Sequence, residues 1–227
     1  MPAAVQALID SGLSCTLDPA ATPPTSWTVY DYNPSGQAIA PRVSAASMPA
    51  TTSGDTTSFP FKPNIYTALL TTTDAKLTGD LSSKTLNDTV SVSGTGGTFQ
   101  YQNGDGCTYP ANVRFYFVSP KASGTTGPDT TGFYTQFWWS NPANVRLLSD
   151  PQSSVSISAM VGDPNEWSDW NGKRGTDSPE VTEALMVAIH NVQTVGLSLG
   201  GGCFFENGVT ISNGSATFQS MFTETTA

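Results

Sequence analysis

The stretch that decides the fold is Glu166–Ile211, EWSDWNGKRGTDSPEVTEALMVAIHNVQTVGLSLGGGCFFENGVTI. Within it Ser178 can cap a helix, Pro179 fits the first helical position, and Glu180 places negative charge in the first turn. Apolar residues then recur with the 3.6-residue period of a helix, at Val181, Leu185, Ala188, Ile189 and Val192. The pattern predicts one helix over Ser178–Val192.

Two strand-like runs follow the helix directly. They are Val195–Gly202 and Phe204–Ile211, and Asn207-Gly208 between their apolar parts is a turn signal of β-hairpins. We therefore expect a hairpin here. A single helix that is followed directly by strands, late in a chain with a β pattern, indicates a β-sandwich with an accessory helix. This architecture argues against most enzyme folds.

Upstream of this stretch, strand signals come at regular spacing. They cover Ile65–Thr73, Lys84–Gly94, Gly97–Gln102, Val113–Ser119, Tyr134–Ser140, Asn144–Ser149 and Ser154–Val161. Short strands separated by Gly and Pro turns are typical of an all-β sandwich or jelly roll. Residues 1–227 are predicted to form one domain with a loop-rich N-terminal extension at 1–60. In that extension Trp27–Asn33 is the one plausible strand, and Ser44–Ser58 is predicted to be a long loop.

The composition favours an extracellular protein. Only 12% of the residues are charged, against about 25% in typical globular proteins, and Ser, Thr and Gly are abundant. The net charge of −9 argues against nucleic acid or an anionic membrane as a partner. No apolar run is long enough to insert into a membrane. We expect a mature protein of the secretory pathway whose signal peptide has been removed.

Cysteines and glycosylation triplets fit that expectation. Cys107 lies in NGDGCTYP and Cys203 in GGGCFFENG, two Gly-flanked turns that border strands, so a Cys107–Cys203 disulfide is predicted. Cys15 then stays unpaired, although it could instead be the partner of one of the others, and three buried thiols are a further alternative. Asn87 and Asn213 each begin a glycosylation triplet.

The order of features from Val113 to Ile211 resembles the laminin IV type A module and related galactose-binding-like jelly rolls. The shared order is FYFVSP, a variable loop, a strand pair, W-x-x-W-N-G, the helix, VGLSLGGG and the closing ENGVTI. In those modules an acidic residue and Asn run straight into Val, whereas here Gly208 stands between Asn207 and Val209. The resemblance covers under half of the chain. It implies a jelly roll that binds a ligand and only rarely catalyses a reaction.

Catalytic motifs are scarce. His190 is the one histidine, no Gly-x-Ser-x-Gly elbow occurs, and neither a His pair nor a CxxC is present, so no metal centre and no cofactor is expected. A structural calcium at the NGDG turn, Asn103–Gly106, is an alternative to an ordinary turn. The acidic residues of 163–169 are typical of a solvated face rather than of a glycosidase pair.

Aromatic residues remain as the functional signal. Trp138 and Trp139 are adjacent in a strand, so one faces the core and the other faces out or lines a pocket. Trp167 and Trp170 flank a polar loop, and stacking rings beside hydrogen-bonding groups are typical of sugar sites, although all these rings could instead be core residues. The predicted ligand-binding residues are Tyr134, Trp138, Trp139, Trp167, Asp169, Trp170, Asn171 and Arg174, with Lys173 beside them.

Three functions are compatible with this pattern. The leading hypothesis is a secreted, non-hydrolytic carbohydrate-binding protein with a glycan as partner. The alternative is a pocketed β-sandwich enzyme that cyclises or isomerises a hydrophobic secondary metabolite, in the manner of a pericyclase, through shape and aromatic walls alone. A structural module of the cell surface is the third. A groove with exposed rings favours the glycan, and a closed apolar cavity favours the enzyme.

Overall fold

The computed structural model describes residues 27–32, 39–42, 50–95, 97–102, 109–120, 137–141, 145–148, 154–169, 171–202 and 207–226. These residues form two antiparallel sheets packed face to face, together with one α-helix. The prediction of an all-β sandwich with an accessory helix is therefore confirmed, and the jelly-roll connectivity stays a prediction. No helix in this described part is long and apolar enough to cross a membrane.

The strands are numbered in chain order. They are β1 Thr28–Tyr32, β2 Ile39–Pro41, β3 Thr51–Ser53, β4 Thr56–Phe61, β5 Thr67–Thr72, β6 Lys84–Thr95, β7 Phe99–Tyr101, β8 Asn112–Val118, β9 Phe137–Ser140, β10 Val145–Leu147, β11 Ser154–Met160, β12 Trp167–Asp169, β13 Thr194–Gly200, β14 Val209–Ile211 and β15 Ser215–Thr226. A 3-10 turn covers Pro164–Glu166, and helix α1 covers Pro179–Ile189.

The two sheets differ in size and in how their faces are covered. The large sheet has the order β12-β9-β8-β13-β5-β1-β2, with β10 paired to β8 and with β14 paired to β5 and β7. The small sheet has the order β11-β6-β15-β4-β3. Strands β5, β8 and β13 of the large sheet are buried at every residue, whereas β11 and β15 of the small sheet largely alternate between buried and exposed. The large sheet is therefore covered on both faces.

Aromatic rings fill the space between the sheets. Phe115 of β8 meets Phe222 of β15 edge to face, with ring centroids 5.6 Å apart, and so joins the two sheets. Phe59 and Phe218 of the small sheet stack at 4.9 Å. Burying each such side chain contributes roughly 1.5–3 kcal/mol. This inner core is what holds the sandwich together.

Helix α1 forms where the sequence predicts it. The Ser178 hydroxyl accepts a hydrogen bond from the Val181 N–H at 3.4 Å, and the predicted apolar stripe buries Leu185 and Ile189 in the inner core. The Leu81 N–H donates to the Ile189 carbonyl at 2.8 Å, so the helix packs against the β5–β6 connection. The helix ends at Ile189, one turn earlier than predicted.

The predicted hairpin after the helix is wrong. Strand β13 lies between β5 and β8, so both of its edges are already paired, and β14 pairs with β5 and β7 instead. Asn207 does not form a two-residue turn; its side chain hydrogen-bonds both the N–H and the carbonyl of Gly201 at 2.9 Å. Gly208 adopts a φ of 80°, and a Cβ there would meet the Tyr32 and Tyr66 side chains.

Several further strands fall where the sequence predicts none. Residues 51–61 form the β3–β4 hairpin, so the predicted loop Ser44–Ser58 is wrong over 51–58. Strand β15 was missed, although it is the central strand of the small sheet. Its alternation of apolar and polar residues is interrupted by Ser220, a polar residue that is buried at an inward position among phenylalanines.

Candidate functional site

Strand β9 carries the two tryptophans of the predicted site, and they lie on opposite faces of the large sheet as predicted. Trp138 is 0% exposed and belongs to the inner core. Trp139 is 2% exposed and lies on the outer face, where it stacks with Phe137 at 5.6 Å between ring centroids. Both rings are thus buried. Trp139 supports Phe137 from behind and offers little surface of its own to a ligand.

Trp167 lies in β12 rather than in a loop, and its ring is fully buried. The ring meets Phe117 edge to face at 4.9 Å, and its indole N–H donates to the Met160 carbonyl at 2.9 Å. This placement corrects the prediction that Trp167 stacks on a ligand, because no face of the ring is open. Trp167 instead anchors the edge of the large sheet to the end of β11.

Asp169 organises the loop that follows β12. One carboxylate oxygen accepts the N–H groups of Asn171 and Lys173, each at 2.9 Å. Burial raises the pKa of Asp169, and these two hydrogen bonds partly offset the effect. The carboxylate is therefore occupied within its own loop. Asn171, Lys173 and Arg174 are exposed at the surface.

Several predicted residues lie outside the described part of the chain. They are Tyr134, Trp170, Cys15, Cys107, Cys203 and the turn Asn103–Gly106. The two glycosylation candidates are described and differ. Asn213 is exposed in the turn between β14 and β15, whereas the Asn87 amide is held on β6 by Thr85, Thr225 and Ser158. Asn213 is the more accessible acceptor.

A cleft crosses the outer face of the large sheet. Its free space, which includes open solvent at its mouth, is about 390 Å³, and its lining comes from strands β9, β8, β13, β5, β1 and β2. The lining consists of Tyr30, Ile39, Leu69, Thr71, Tyr116, Val118, Phe137, Gln193 and Thr194. Three rings, three aliphatic side chains and three neutral polar side chains thus meet in one groove.

The floor of the cleft is set by a glycine in β13. Gly196 lies opposite Tyr116 of β8 on one side and opposite Thr71 of β5 on the other. The Tyr116 hydroxyl and the Thr71 hydroxyl are nevertheless hydrogen-bonded, so the Tyr116 side chain spans the intervening strand. Only a residue without a side chain leaves room for this crossing, and a Cβ at Gly196 would also collide with the Leu70 carbonyl oxygen.

One wall of the cleft depends on a buried ion pair. Arg42, just after β2, donates to both carboxylate oxygens of Asp31 at 2.6 and 2.8 Å, and also to the Thr67 hydroxyl at 2.8 Å. Its side chain is fully buried and also reaches the Pro60 carbonyl of the small sheet at 2.9 Å. This bidentate pair holds β2, which carries Ile39, against β1.

The described site holds no catalytic constellation. No lining residue of the cleft is charged, and the described residues contain no cluster suited to a metal ion. His190 is exposed at the end of α1, where Nδ1 lies 3.1 Å from a carboxylate oxygen of Asp80. Hydrogen bonds from Ser82 and His190 lower the pKa of Asp80 to about 2. This pair lies outside the cleft.

Most of the cleft was not found from the sequence. The signal that could have found it is the run NVRFYFV of β8, which is buried at every residue. A strand with one solvated face alternates, whereas a strand covered on both faces reads as a continuous apolar run. The run therefore indicates that Tyr116 and Val118 lie on a second buried face. The sequence matches no protein-family model and shows no significant similarity to a curated protein.

Proposed function

We propose that this protein binds an uncharged glycan without hydrolysing it, in the cleft on the outer face of the large sheet. The observation that carries the proposal is the lining, in which the rings of Tyr30 and Phe137 lie beside neutral hydrogen-bonding groups. Aromatic faces pack against the C–H face of a sugar ring, while Gln193 and Thr194 can pair with its hydroxyls.

Electrostatics support an uncharged ligand. The protein carries a net charge of −9, and the lining offers no cation that would offset repulsion of an acidic sugar. The deeply buried ends of Phe137 and Tyr116 are supported by Trp139 and by Thr71, so the contact surface is rigid before the ligand arrives. A preorganised surface lowers the entropy cost of binding.

The test is isothermal titration calorimetry, in which neutral and acidic oligosaccharides are titrated into the protein. The variant Tyr30→Ala removes a half-buried ring at one end of the cleft and should weaken binding of a neutral oligosaccharide at least tenfold. Tyr109→Ala is the matched control, because Tyr109 is 38% exposed and is not among the lining residues. Binding that Tyr30→Ala and Tyr109→Ala weaken equally, or no binding of any glycan, would contradict the proposal.

A second candidate function rests on the apolar share of the lining. Leu69, Val118, Ile39 and Phe137 would suit a hydrophobic metabolite, and a pericyclase-type cyclisation or isomerisation needs no nucleophile or metal. An apolar fluorescent dye separates the two functions. Displacement of the dye by oligosaccharides indicates the glycan, whereas dye binding that sugars leave unchanged favours the metabolite enzyme.

We also propose that the protein is secreted and carries a Cys107–Cys203 disulfide. The described neighbours support the pairing, because the Gly202 N–H donates to the Tyr109 carbonyl at 2.8 Å and joins the two segments. Peptide mapping by mass spectrometry without reduction should find Cys107 linked to Cys203 and Cys15 free. On expression in a secretory host, a glycan is expected at Asn213 before Asn87. Free thiols at 107 and 203 would end the disulfide proposal.

A further inference from the structure

Strand β11 forms one edge of the small sheet and is the longest edge strand of that sheet. Its seven residues pair with β6 on one side, and no described strand pairs with its other side. The sequence SVSISAM contains neither a charge nor a proline. Natural proteins usually block such an edge with lysine, proline, a bulge or a covering loop.

The hydrogen bonds at the end of β11 show which backbone groups point outward. The Val161 N–H donates to the Lys84 carbonyl at 2.9 Å, toward β6. The Met160 N–H instead donates to the Glu166 carboxylate, and the Met160 carbonyl accepts the Trp167 indole N–H at 2.9 Å. Met160 therefore turns its backbone groups away from β6, and local side chains occupy them.

Three residues share the orientation of Met160. Because backbone groups alternate in direction along a strand, those of Ser154, Ser156 and Ser158 also point away from β6. No hydrogen bond joins these N–H and carbonyl groups to any described residue. The three serine side chains are exposed. The edge thus offers three N–H donors and three carbonyl acceptors in one row.

Two edges of the large sheet are protected. At β12, the Asp169 N–H donates to the Lys173 carbonyl at 2.8 Å, and the Gly175 N–H donates to the Trp167 carbonyl at 2.9 Å, so a loop covers the strand. At the other edge, β2 is three residues long and ends in Pro41. Strand β11 is the contrast: β10 lies near it, but no described residue forms a hydrogen bond with the outward N–H and carbonyl groups of Ser154, Ser156 and Ser158.

We propose that two copies of this chain pair through β11, antiparallel, with Ser156 opposite Ser156 of the second copy. In this register Ser154 lies opposite Ser158 of the other copy. Each of these pairs exchanges two hydrogen bonds, as in any hydrogen-bonded antiparallel pair, so every free group on both edges is used. The arrangement has the two-fold symmetry that is commonest among homo-oligomers.

The side chains are compatible with that register. Val155 would lie opposite Ile157 of the second copy on the inner side, and serines would face serines on the outer side. No residue of β11 is charged, although the Glu166 carboxylate lies at the Met160 end of the edge and the chain as a whole carries a net charge of −9. A register centred on Ile157 would place Ser154 opposite Met160, whose backbone groups are already bonded to Glu166 and Trp167. The Ser156-centred register is therefore the one that leaves no group unpaired.

Molar mass in solution tests the pairing. Size-exclusion chromatography with light scattering over a concentration series should show the wild-type mass rising twofold toward a dimer. Ser156→Pro removes the outward N–H at the centre of the interface and should keep the mass at that of the monomer. Ser156→Ala is the matched control: it loses only the side-chain contact to Thr89 and should still form the dimer. A wild type that stays monomeric, or Ala and Pro variants that behave alike, overturns the proposal.

A cysteine scan tests the register and does not depend on the proline variant folding. Cα atoms of a hydrogen-bonded pair lie about 5.5 Å apart, within disulfide range. Mild oxidation should therefore link Ser156→Cys to itself between copies. Ser154→Cys alone should show no more than the wild-type background, because its partner would be Ser158. Equal cross-linking of the two variants, or none above background in Ser156→Cys, contradicts the proposed register.

Discussion

The outer faces of the two sheets are built in opposite ways. On the large sheet, Tyr116 and Trp139 are 1% and 2% exposed and belong to a second apolar cluster outside the sandwich core. On the small sheet, the outward positions of β6, β11 and β15 are mostly serine and threonine, and cross-strand pairs such as Thr89–Ser156 hydrogen-bond at 3.2 Å. One face is thus a packed layer with a cleft, and the other is a solvated surface.

This difference shows where function can reside. A face that buries aromatic rings and still leaves a cleft offers a ligand preformed walls, which is the usual form of a small-molecule site. A hydroxyl face gains little from any one contact, because each hydrogen bond replaces one with water. Among the described residues of the small sheet, the β11 edge presents a row of backbone groups without hydrogen-bond partners, so that edge is suited to strand pairing.

The largest expected effect comes from Trp139→Ala. If the outer face of the large sheet is a true second core, removing this buried ring should lower the free energy of unfolding by about 3–5 kcal/mol. Thr223→Ala, at an exposed outward position of the small sheet, should change it by less than about 0.5 kcal/mol. Urea denaturation followed by circular dichroism measures both. Similar losses of unfolding free energy in the two variants would show that the two outer faces do not differ in packing.

One residue of β6, Asp88, should make the stability of the small sheet depend on pH. Asp88 faces the inner core, where it accepts hydrogen bonds from the Ser220 hydroxyl at 2.6 Å and the Met221 N–H at 2.8 Å. Burial raises its pKa from 3.8 to about 7. Because the folded state holds the proton more tightly than the unfolded chain, this group's contribution to stability is full below about pH 4 and is lost as the pH rises toward 7.

Asp88→Asn should remove that pH dependence. The amide can keep both hydrogen bonds and carries no charge, so at pH 8 the variant should be more stable than the wild type, by up to about 4 kcal/mol. Denaturation midpoints at pH 5 and pH 8 are the measurement. Asp55→Asn, in the exposed β3–β4 turn, is the matched control and should follow the wild type. A wild type that gains stability between pH 5 and pH 8, with Asp88→Asn unchanged, would contradict the assignment.

Gly196→Ala should have a smaller effect, confined to the large sheet. The new methyl group collides with the Leu70 carbonyl oxygen and disturbs the crossing of Tyr116, at a cost of about 1–3 kcal/mol. Tyr116→Phe, which removes only the hydrogen bond to Thr71, should cost about 1 kcal/mol. Both variants should weaken ligand binding in the cleft by calorimetry. A Gly196→Ala protein of wild-type stability would show that the crossing is not tight.

The smallest effect is expected on the hydroxyl face. Asn87→Ala removes the amide contacts to Thr85, Thr225 and Ser158, all at an outward position of the small sheet. Since water can replace each partner, the free energy of unfolding should fall by about 1 kcal/mol or less. Thermal denaturation with Asn213→Ala as the control resolves this. A loss as large as that of Trp139→Ala would mean that the hydroxyl face is structural in its own right.

Much of the candidate site could not be predicted from the sequence, and the tryptophans show why. The alternation rule correctly separated Trp138 from Trp139, since adjacent strand residues face opposite sides. The rule does not say whether the outward side is open or covered. Here Trp139 and Trp167 are both buried, and Asp169 is occupied by its own loop, while the cleft on the same sheet begins at Phe137.

The sequence by itself determined the local elements: the Ser178 cap and apolar stripe of α1, and most strands from β5 onward, because backbone periodicity and capping act over a few residues. Only the tertiary structure decided which strands pair. Strand β13 inserts between β5 and β8 instead of turning into β14, and Gly196 thereby comes to lie beneath Tyr116. Such pairings join residues far apart in the chain, so the free energy that selects them comes from the packing of complete faces, which no local pattern encodes.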